Sequence, residues 1–167
     1  MDLDQDLERI AEQELRLRFA SFDEDTAWGL CSVLRARAEA RGVAVAIEVR
    51  LAGATVAFTA MPGTAPANAD WARRKRNVVE TLRRSSYAVG LAAARHGGAT
   101  ETQLMGLPER DHACHGGCFP IVVNGVGFVG AVTVSGLPQR DDHNLVVEVL
   151  ADILSVPLAE IALTPRG

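Results

Sequence analysis

The sequence predicts an α/β domain of the α+β kind, in which helices pack on one antiparallel sheet of four to five strands. Residues 43–61 and 119–134 each have the alternating pattern of a β-hairpin. The second hairpin contains Asn124–Gly125, a pair that favours the type I′ turn of tight hairpins. Segments with helical periodicity precede and follow both hairpins, and hairpins build antiparallel sheets, so a single sheet covered by helices is expected.

The first two helices precede the first hairpin. A helix is predicted over residues 6–19, and its apolar face would consist of Leu7, Ile10, Ala11, Leu15 and Phe19. Ser21 and Glu24 have the spacing of a capping box, so the second helix is predicted to begin there and to end at Gly42. The apolar stripe of the second helix consists of Ala27, Leu30, Cys31, Leu34 and Ala38.

The middle of the chain is predicted to form a hairpin and then two more helices. Strands over 43–51 and 55–61 would be joined by a turn at 52–53. After a loop over 62–68, Asn68 is expected to cap a helix over 69–84, and a further helix is expected over 85–98.

The C-terminal part is predicted to contain the second hairpin and the last helix. Residues 99–117 have no regular pattern, and strands over 119–123 and 126–134 follow them. The last helix is predicted over 140–154, where Asp141 and Asp142 would favour the helix dipole from the first turn.

Composition limits the classes of function. The 167 residues are 48% hydrophobic and 23% charged, which is typical of one folded domain, here expected over 1–167. The formal net charge of −4 argues against a nucleic-acid partner. The acidic start has neither the basic region nor the apolar core of a secretory signal, and no run is long enough to cross a bilayer, so a cytoplasmic protein with no membrane partner is expected. Three cysteines, an odd number, are expected to be free thiols.

Residues 73–76, "RRKR", resemble a nucleic-acid patch, but helical spacing separates their charges. Arg73, Arg76, Arg83 and Arg84 are predicted to form a solvated outer face. Lys75 instead falls within the apolar stripe of Trp71, Val78 and Leu82. A lysine there must extend to solvent, pair with an acid, or line a pocket, and Arg74 flanks the same stripe.

Residues 125–130, "GVGFVG", match the glycine spacing of a dinucleotide fingerprint. Such a fingerprint must leave a strand and open a helix, whereas this segment closes a turn and continues as a strand. We therefore do not expect it to bind a nucleotide.

Residues 112–121, "HACHGGCFPI", combine two histidines, two cysteines and two glycines. The four side chains that could bind a metal lie within seven residues with no second cluster, so no metal site is expected. Cys114 and Cys118 do not have the C-x-x-C spacing of redox motifs. The remaining features are Gly116 and Gly117, which would permit a close backbone approach, and His115, which would face a pocket at the mouth of a strand. His143, on the apolar face of the last helix, is expected to be a hydrogen-bonded, partly buried histidine.

Several segments together resemble one uncharacterised family. The segments "MPGTAPANADWARRKRNVV", "SSYAVG", "HGGCFPI" and "GFVGAVTVSGLPQRDDHNLVVEVL" are similar to the UPF0303 family, within the haem-degrading GlcG/HbpS-like group also known as domain of unknown function 336. The resemblance covers about residues 20–155. It implies a fold related to profilin-like sandwiches, homo-oligomers built from dimers, and haem as a candidate cofactor. The motif positions carried over are Asn68, Trp71, Arg74, Lys75, Ser85, Ser86, His115, Gly116, Gly117, Phe119, Pro120, Ser135, Gly136, Asp141 and His143.

Three functions remain open from the sequence. The first is a homo-oligomeric small-molecule-binding domain, with haem as a candidate ligand. Its site would contain Lys75, Arg74, His115, Gly116, Gly117, Asn68, Trp71, Ser135 and His143. In it, His115 would be the axial ligand and Lys75 or Arg74 would pair with a propionate. The second is an oligomeric structural or protein-interaction module without ligand chemistry. The third is an enzyme that uses Lys75 or His115 as an acid, base or nucleophile.

Overall fold

The computed structural model describes residues 2–164, which form seven helices and four strands. The helices are α1 (Leu3–Arg16), α2 (Glu24–Ala40), α3 (Pro66–Leu82), α4 (Ser86–His96), α5 (Glu101–Leu104), α6 (Gln139–Ile153) and α7 (Leu158–Ile161). The strands are β1 (Ala46–Leu51), β2 (Ala54–Ala60), β3 (Cys118–Val123) and β4 (Gly127–Ser135). Within residues 2–164, none of the helices combines the length and the apolar character that a bilayer crossing requires.

The four strands form one antiparallel sheet in the order β2-β1-β4-β3. Each hairpin supplies two adjacent strands, and β1 pairs with β4 to join the hairpins at the centre of the sheet. This confirms the predicted fold class, with four strands.

Both faces of the sheet are covered. Helices α2 and α6 pack on one face over the main hydrophobic core, which includes Leu34, Ile47, Val132 and Leu150. Helix α3 crosses the other face, where Val79 packs with Cys118 and Ala131. As a result β1 is buried on both sides over residues 46–49 rather than alternating between core and solvent.

The buried face of α1 differs from the predicted one. The helix ends at Arg16, and Leu15 is 60% exposed while Asp6 and Gln13 are buried. These two polar residues are stabilised by hydrogen bonds to other elements, because Asp6 accepts from Arg140 and the Gln13 amide donates to Ile161 O at 2.8 Å. Apolar periodicity therefore places Ile10 correctly in the core but wrongly assigns Leu15 to it and misses Asp6 and Gln13.

Two predicted helix caps are wrong. Asp23, not Ser21, caps α2, because its carboxylate accepts the Thr26 N–H at 2.8 Å. Helix α3 begins at Pro66, so Asn68 lies inside its first turn and accepts the Ala65 N–H there at 2.8 Å. Proline suits this position because the first helical N–H has no partner within the helix. Residues 99–117, predicted to be irregular, contain the short helix α5.

Arg76 does not lie on a solvated face as predicted. Its guanidinium donates two hydrogen bonds to Glu48, at 3.0 and 3.1 Å, and both side chains are largely buried between α3 and β1. The neighbouring Arg73 is more exposed and bonds Asp70 and Asp111. Arg73 and Arg76 are thus both held in ion pairs, of which only that of Arg76 lies on the sheet.

The glycine-rich segment 125–130 forms a turn and the start of β4, without a helix after it. Gly130 lies at the sheet centre, where a Cβ atom would be 1.9 Å from Arg50 O. This glycine therefore permits close strand pairing, and the segment lacks the strand–helix context of a dinucleotide fingerprint.

Candidate functional site

Two adjoining clefts lie where α3, residues 112–117 and the start of α6 meet. The first, of about 250 Å³, is called the Lys75 cleft and is lined by Asn68, Trp71, Lys75, His115, Ser135, Gly136, Leu137, Gln139 and Asp142. The second, of about 430 Å³, is called the Cys114 cleft, and its lining includes Arg74, Leu91, Thr102, His112, Cys114 and Glu109. His115 and Gln139 line both clefts. The structure therefore brings Lys75 and His115 to one concave site.

Lys75 and Asp142 form a buried ion pair at the floor of the Lys75 cleft. The Lys75 ammonium lies 2.8 Å from Asp142 Oδ2 and also donates to Val134 O at 3.2 Å. Their side chains are 4% and 1% exposed. Burial raises the pKa of Asp142, while the Lys75 charge and the Leu137 and Gly136 N–H groups oppose that shift. The sequence left three alternatives for Lys75: extending to solvent, pairing with an acid, or lining a pocket. In the structure Lys75 does both of the last two.

The two glycines before β3 fit against this pair. A Cβ atom at Gly117 would lie 2.3 Å from Val134 O and 2.8 Å from Lys75 Nζ, and the residue has a φ of +130°. A Cβ atom at Gly116 would lie 2.1 Å from Gln139 O. Larger residues would displace the 115–117 segment from α6, so the predicted close backbone approach is confirmed.

His115 lies at the rim between the clefts, against Trp71. The two ring centroids are 5.1 Å apart in an edge-to-face arrangement, and the Arg74 guanidinium lies 4.5 Å from the Trp71 ring centroid. Partial burial lowers the pKa of His115, and the positive charges of Lys75 and Arg74 lower it further. These effects favour the neutral imidazole, which has one unprotonated ring nitrogen.

The other side chains of the "HACHGGC" segment have separate partners. His112 bonds Pro108 O at 3.0 Å, and Cys114 contacts the Thr102 hydroxyl at 3.3 Å. Cys118 is fully buried and accepts a hydrogen bond from Thr133, and burial raises its pKa to about 12. In residues 2–164 no three His, Cys, Asp or Glu side chains are grouped as a metal site would require. The cysteines are unbridged.

His143 lies outside both clefts. It is 1% exposed and packs between the Tyr87 and Phe119 rings, where its Nε2 bonds Gln13 Oε1 at 2.8 Å. His143 is hydrogen-bonded as expected from sequence, but it is fully rather than partly buried. It lies apart from the other residues predicted for the site, because neither cleft reaches it.

Asp142 and Gln139 are among the residues of the Lys75 cleft that sequence reasoning missed. Asp142 was explained by its place in the first turn of the last helix, yet its carboxylate points back to the Leu137 N–H at 3.0 Å and to Lys75. A signal was present, because a lysine within an apolar stripe requires a buried counter-charge, and Asp142 shares the apolar face of α6 with Val146 and Val149.

Comparison with known proteins places this chain in a family. Residues 22–151 match the family model described as "Haem degrading protein HbpS-like". A UPF0303 protein of Azotobacter vinelandii is 58% identical over 98% of both chains, and one of Rhizobium etli is 52% identical over 99% of both.

Solved structures share the fold at lower identity. The Ybr137w protein has a TM-score of 0.79 at 25% identity, with 89% of this chain and 87% of that chain covered. HbpS has a TM-score of 0.64 at 19% identity, covering 80% and 89% of the two chains. PduOC, solved as a haem complex, has a TM-score of 0.65 at 18% identity, covering 80% and 94%. The chain belongs to the UPF0303 proteins, within the HbpS-like family.

Proposed function

We propose that this protein is a small-molecule-binding domain and that haem is its ligand, bound at the two clefts joined by His115. The observation that carries the proposal is the placement of a neutral, accessible imidazole beside cationic and aromatic side chains at a concave site. The Cys114 cleft alone has a volume within the roughly 300–1,000 Å³ of typical ligand pockets. The description of the family and the haem complex of PduOC support haem as the ligand to test.

The chemistry of the donor set fits haem at His115. An imidazole binds iron through an unprotonated nitrogen, and the surroundings of His115 favour that form. Trp71 supplies an apolar, flat wall next to it. When bound, haem would supply a redox-active iron, and His115 would hold that iron at the rim of the clefts.

Arg74 is better suited than Lys75 to pair with a propionate of haem. Asp142 already neutralises Lys75. Arg74 has no acidic partner among the described residues, and it donates only to Glu109 O at 2.8 Å. Its Nε is buried without a hydrogen-bond partner in the described structure.

Titration of haem into the purified apoprotein tests this proposal. We expect a shifted Soret band with the native protein and its loss or displacement with His115→Ala, because the nitrogen that would bind the iron is removed. His112→Ala is the matched control, since His112 lines the Cys114 cleft but already bonds Pro108 O. An unshifted band with the native protein, or the same shifted band in His115→Ala, would contradict the assignment of His115.

The proposal includes self-association into a homo-oligomer built from dimers. Edge strand β2 is largely exposed and carries Phe58, whose exposed fraction is 45%. We expect light scattering after size-exclusion chromatography to give an even multiple of the 17.8 kDa chain mass. A mass of one chain at micromolar concentration would contradict this part of the proposal.

The proposal places the protein in the cytoplasm without a nucleic-acid or membrane partner. Three unbridged cysteines support a reducing compartment. The pairing of Arg73 and Arg76 with acidic residues leaves little free positive charge on α3 for a phosphate backbone.

A further inference from the structure

The carboxamides that line the Lys75 cleft both have their oxygen atoms engaged. Asn68 Oδ1 accepts the Ala65 N–H at 2.8 Å, and Gln139 Oε1 accepts the Gly116 N–H at 3.2 Å. A backbone N–H can only donate, so these contacts fix which end of each amide is oxygen. The two NH₂ groups, which make no hydrogen bond to a described residue, are left as donors beside the cleft.

In the ion pair at the cleft floor, the acceptor atoms are again occupied and a donor is again left over. Asp142 Oδ1 accepts from the Leu137 N–H, and Oδ2 accepts from Lys75 and from the Gly136 N–H. The Lys75 ammonium has three N–H groups, and two of them are used by Asp142 and Val134 O. The pair therefore adds no net charge to the cleft but leaves one strong donor in its wall.

Two more donors line the cleft without a partner. Ser135 is 3% exposed, and its hydroxyl makes no hydrogen bond to any described residue. The Trp71 indole N–H likewise has no acceptor within residues 2–164. Both residues line the cleft, where these groups can donate to a bound molecule.

We propose that the Lys75 cleft binds a carboxylate group. The excess of N–H and O–H donors over free acceptors matches an oxyanion, and such charge-assisted bonds are the stronger ones. This inference rests on the proposed function in taking the cleft as a ligand site, and it specifies the chemistry recognised there. The carboxylate belongs either to haem, as a propionate, or to a separate small organic acid.

Nuclear magnetic resonance with sodium propionate as the probe tests the inference. We expect saturable shifts of the Asn68 and Gln139 NH₂ signals and of the Trp71 indole signal, and none with propionamide, which has the same shape without the charge. Asn68→Asp and Gln139→Glu keep the oxygen that accepts the backbone N–H but replace the NH₂ donor. Each variant should bind propionate roughly tenfold or more weakly.

Asn144→Asp is the control for added negative charge, because Asn144 lies on α6 outside the Lys75 cleft. It should bind propionate as the native protein does. Absence of saturable shifts, equal shifts with propionamide, or undiminished binding by Asn68→Asp and Gln139→Glu would each overturn the inference.

Haem titration of Asn68→Asp separates the two sources of the carboxylate. Weaker haem binding would identify a propionate of haem as the group in the cleft, and unchanged haem binding would identify a small acid. If the native protein shows saturable shifts with propionate but never shifts the Soret band of added haem, haem is not the ligand. The carboxylate site would then remain.

Discussion

Replacing Asp142 with asparagine should lower the free energy of unfolding by about 3–5 kcal/mol, because the substitution removes the carboxylate that pairs with the buried Lys75 side chain. The pair is almost fully enclosed, with 4% and 1% exposure of its side chains. Asparagine has the same shape and can still accept the Leu137 N–H through its oxygen. The amide NH₂ would then face Lys75 and the Gly136 N–H, so the loss combines the unpaired ammonium with one backbone hydrogen bond.

The double variant Lys75→Met with Asp142→Asn should recover most of this loss. Removing both charges leaves no buried ion, and methionine fills a volume similar to that of the lysine stem. Unfolding by urea, followed by circular dichroism, gives all four free energies of the double-mutant cycle.

An exposed pair on the same side of the protein provides the control. Asp70 pairs with Arg73 at 3.0 Å, but its side chain is 54% exposed, so Asp70→Asn should change stability by no more than about 0.5 kcal/mol. If Asp142→Asn lowers the free energy of unfolding by less than about 1 kcal/mol, the Lys75–Asp142 pair does not stabilise the fold as predicted.

Local patterns predicted the fold well because each hairpin and helix is specified by neighbouring residues. Alternation over 43–61 and 119–134 is enough to indicate two hairpins, and hairpins leave few ways to build one sheet. The type I′ turn expected at Asn124–Gly125 is wrong, because Gly125 has a positive φ of +77° and Asn124 does not. The β1–β4 pairing that joins them is long-range and follows from sheet closure rather than from any residue pattern.

The site was only partly predictable because its main contacts connect distant segments. Lys75 is conspicuous as a charge in an apolar stripe, but its partner is 67 positions away, and an aspartate at a helix start has an adequate local explanation. The same reason accounts for α1, where Gln13 is buried through bonds to residues 130 and 148 positions away. A prediction from apolar periodicity assigns such polar residues to the solvent-exposed face of a helix.

Stability should also fall with acidification below about pH 6.5, because His143 is held neutral in the folded protein. Burial lowers the pKa of His143 to about 3, and the positive charge of Arg140 adds to this while Asp6 opposes it. The unfolded chain would bind a proton near pH 6.5, where a free histidine titrates. Protons therefore favour unfolding between pH 6.5 and pH 3, at roughly 1.4 kcal/mol per pH unit.

The tautomer of His143 explains why the folded protein resists protonation there. Gln13 donates through its Nε2 to Ile161 O, so its Oε1 must accept from His143 Nε2–H. The unprotonated Nδ1 is buried without a partner in the described structure. A proton added to Nδ1 would find no acceptor and would place a second positive charge near Arg140.

We expect the free energy of unfolding to be about 2 kcal/mol lower at pH 5 than at pH 7 through this histidine alone. His143→Gln retains an amide N–H at the position of Nε2 but cannot titrate. The slope of its free energy of unfolding against pH should therefore lack the contribution of His143. The difference between native and variant slopes isolates His143, since Asp142, whose raised pKa contributes in the opposite direction, is common to both.

His96→Gln, at an exposed position of α4, should keep the native slope. Equal slopes of unfolding free energy against pH for the native protein and His143→Gln would contradict the prediction. They would mean that His143 binds a proton as readily in the folded chain as in the unfolded one.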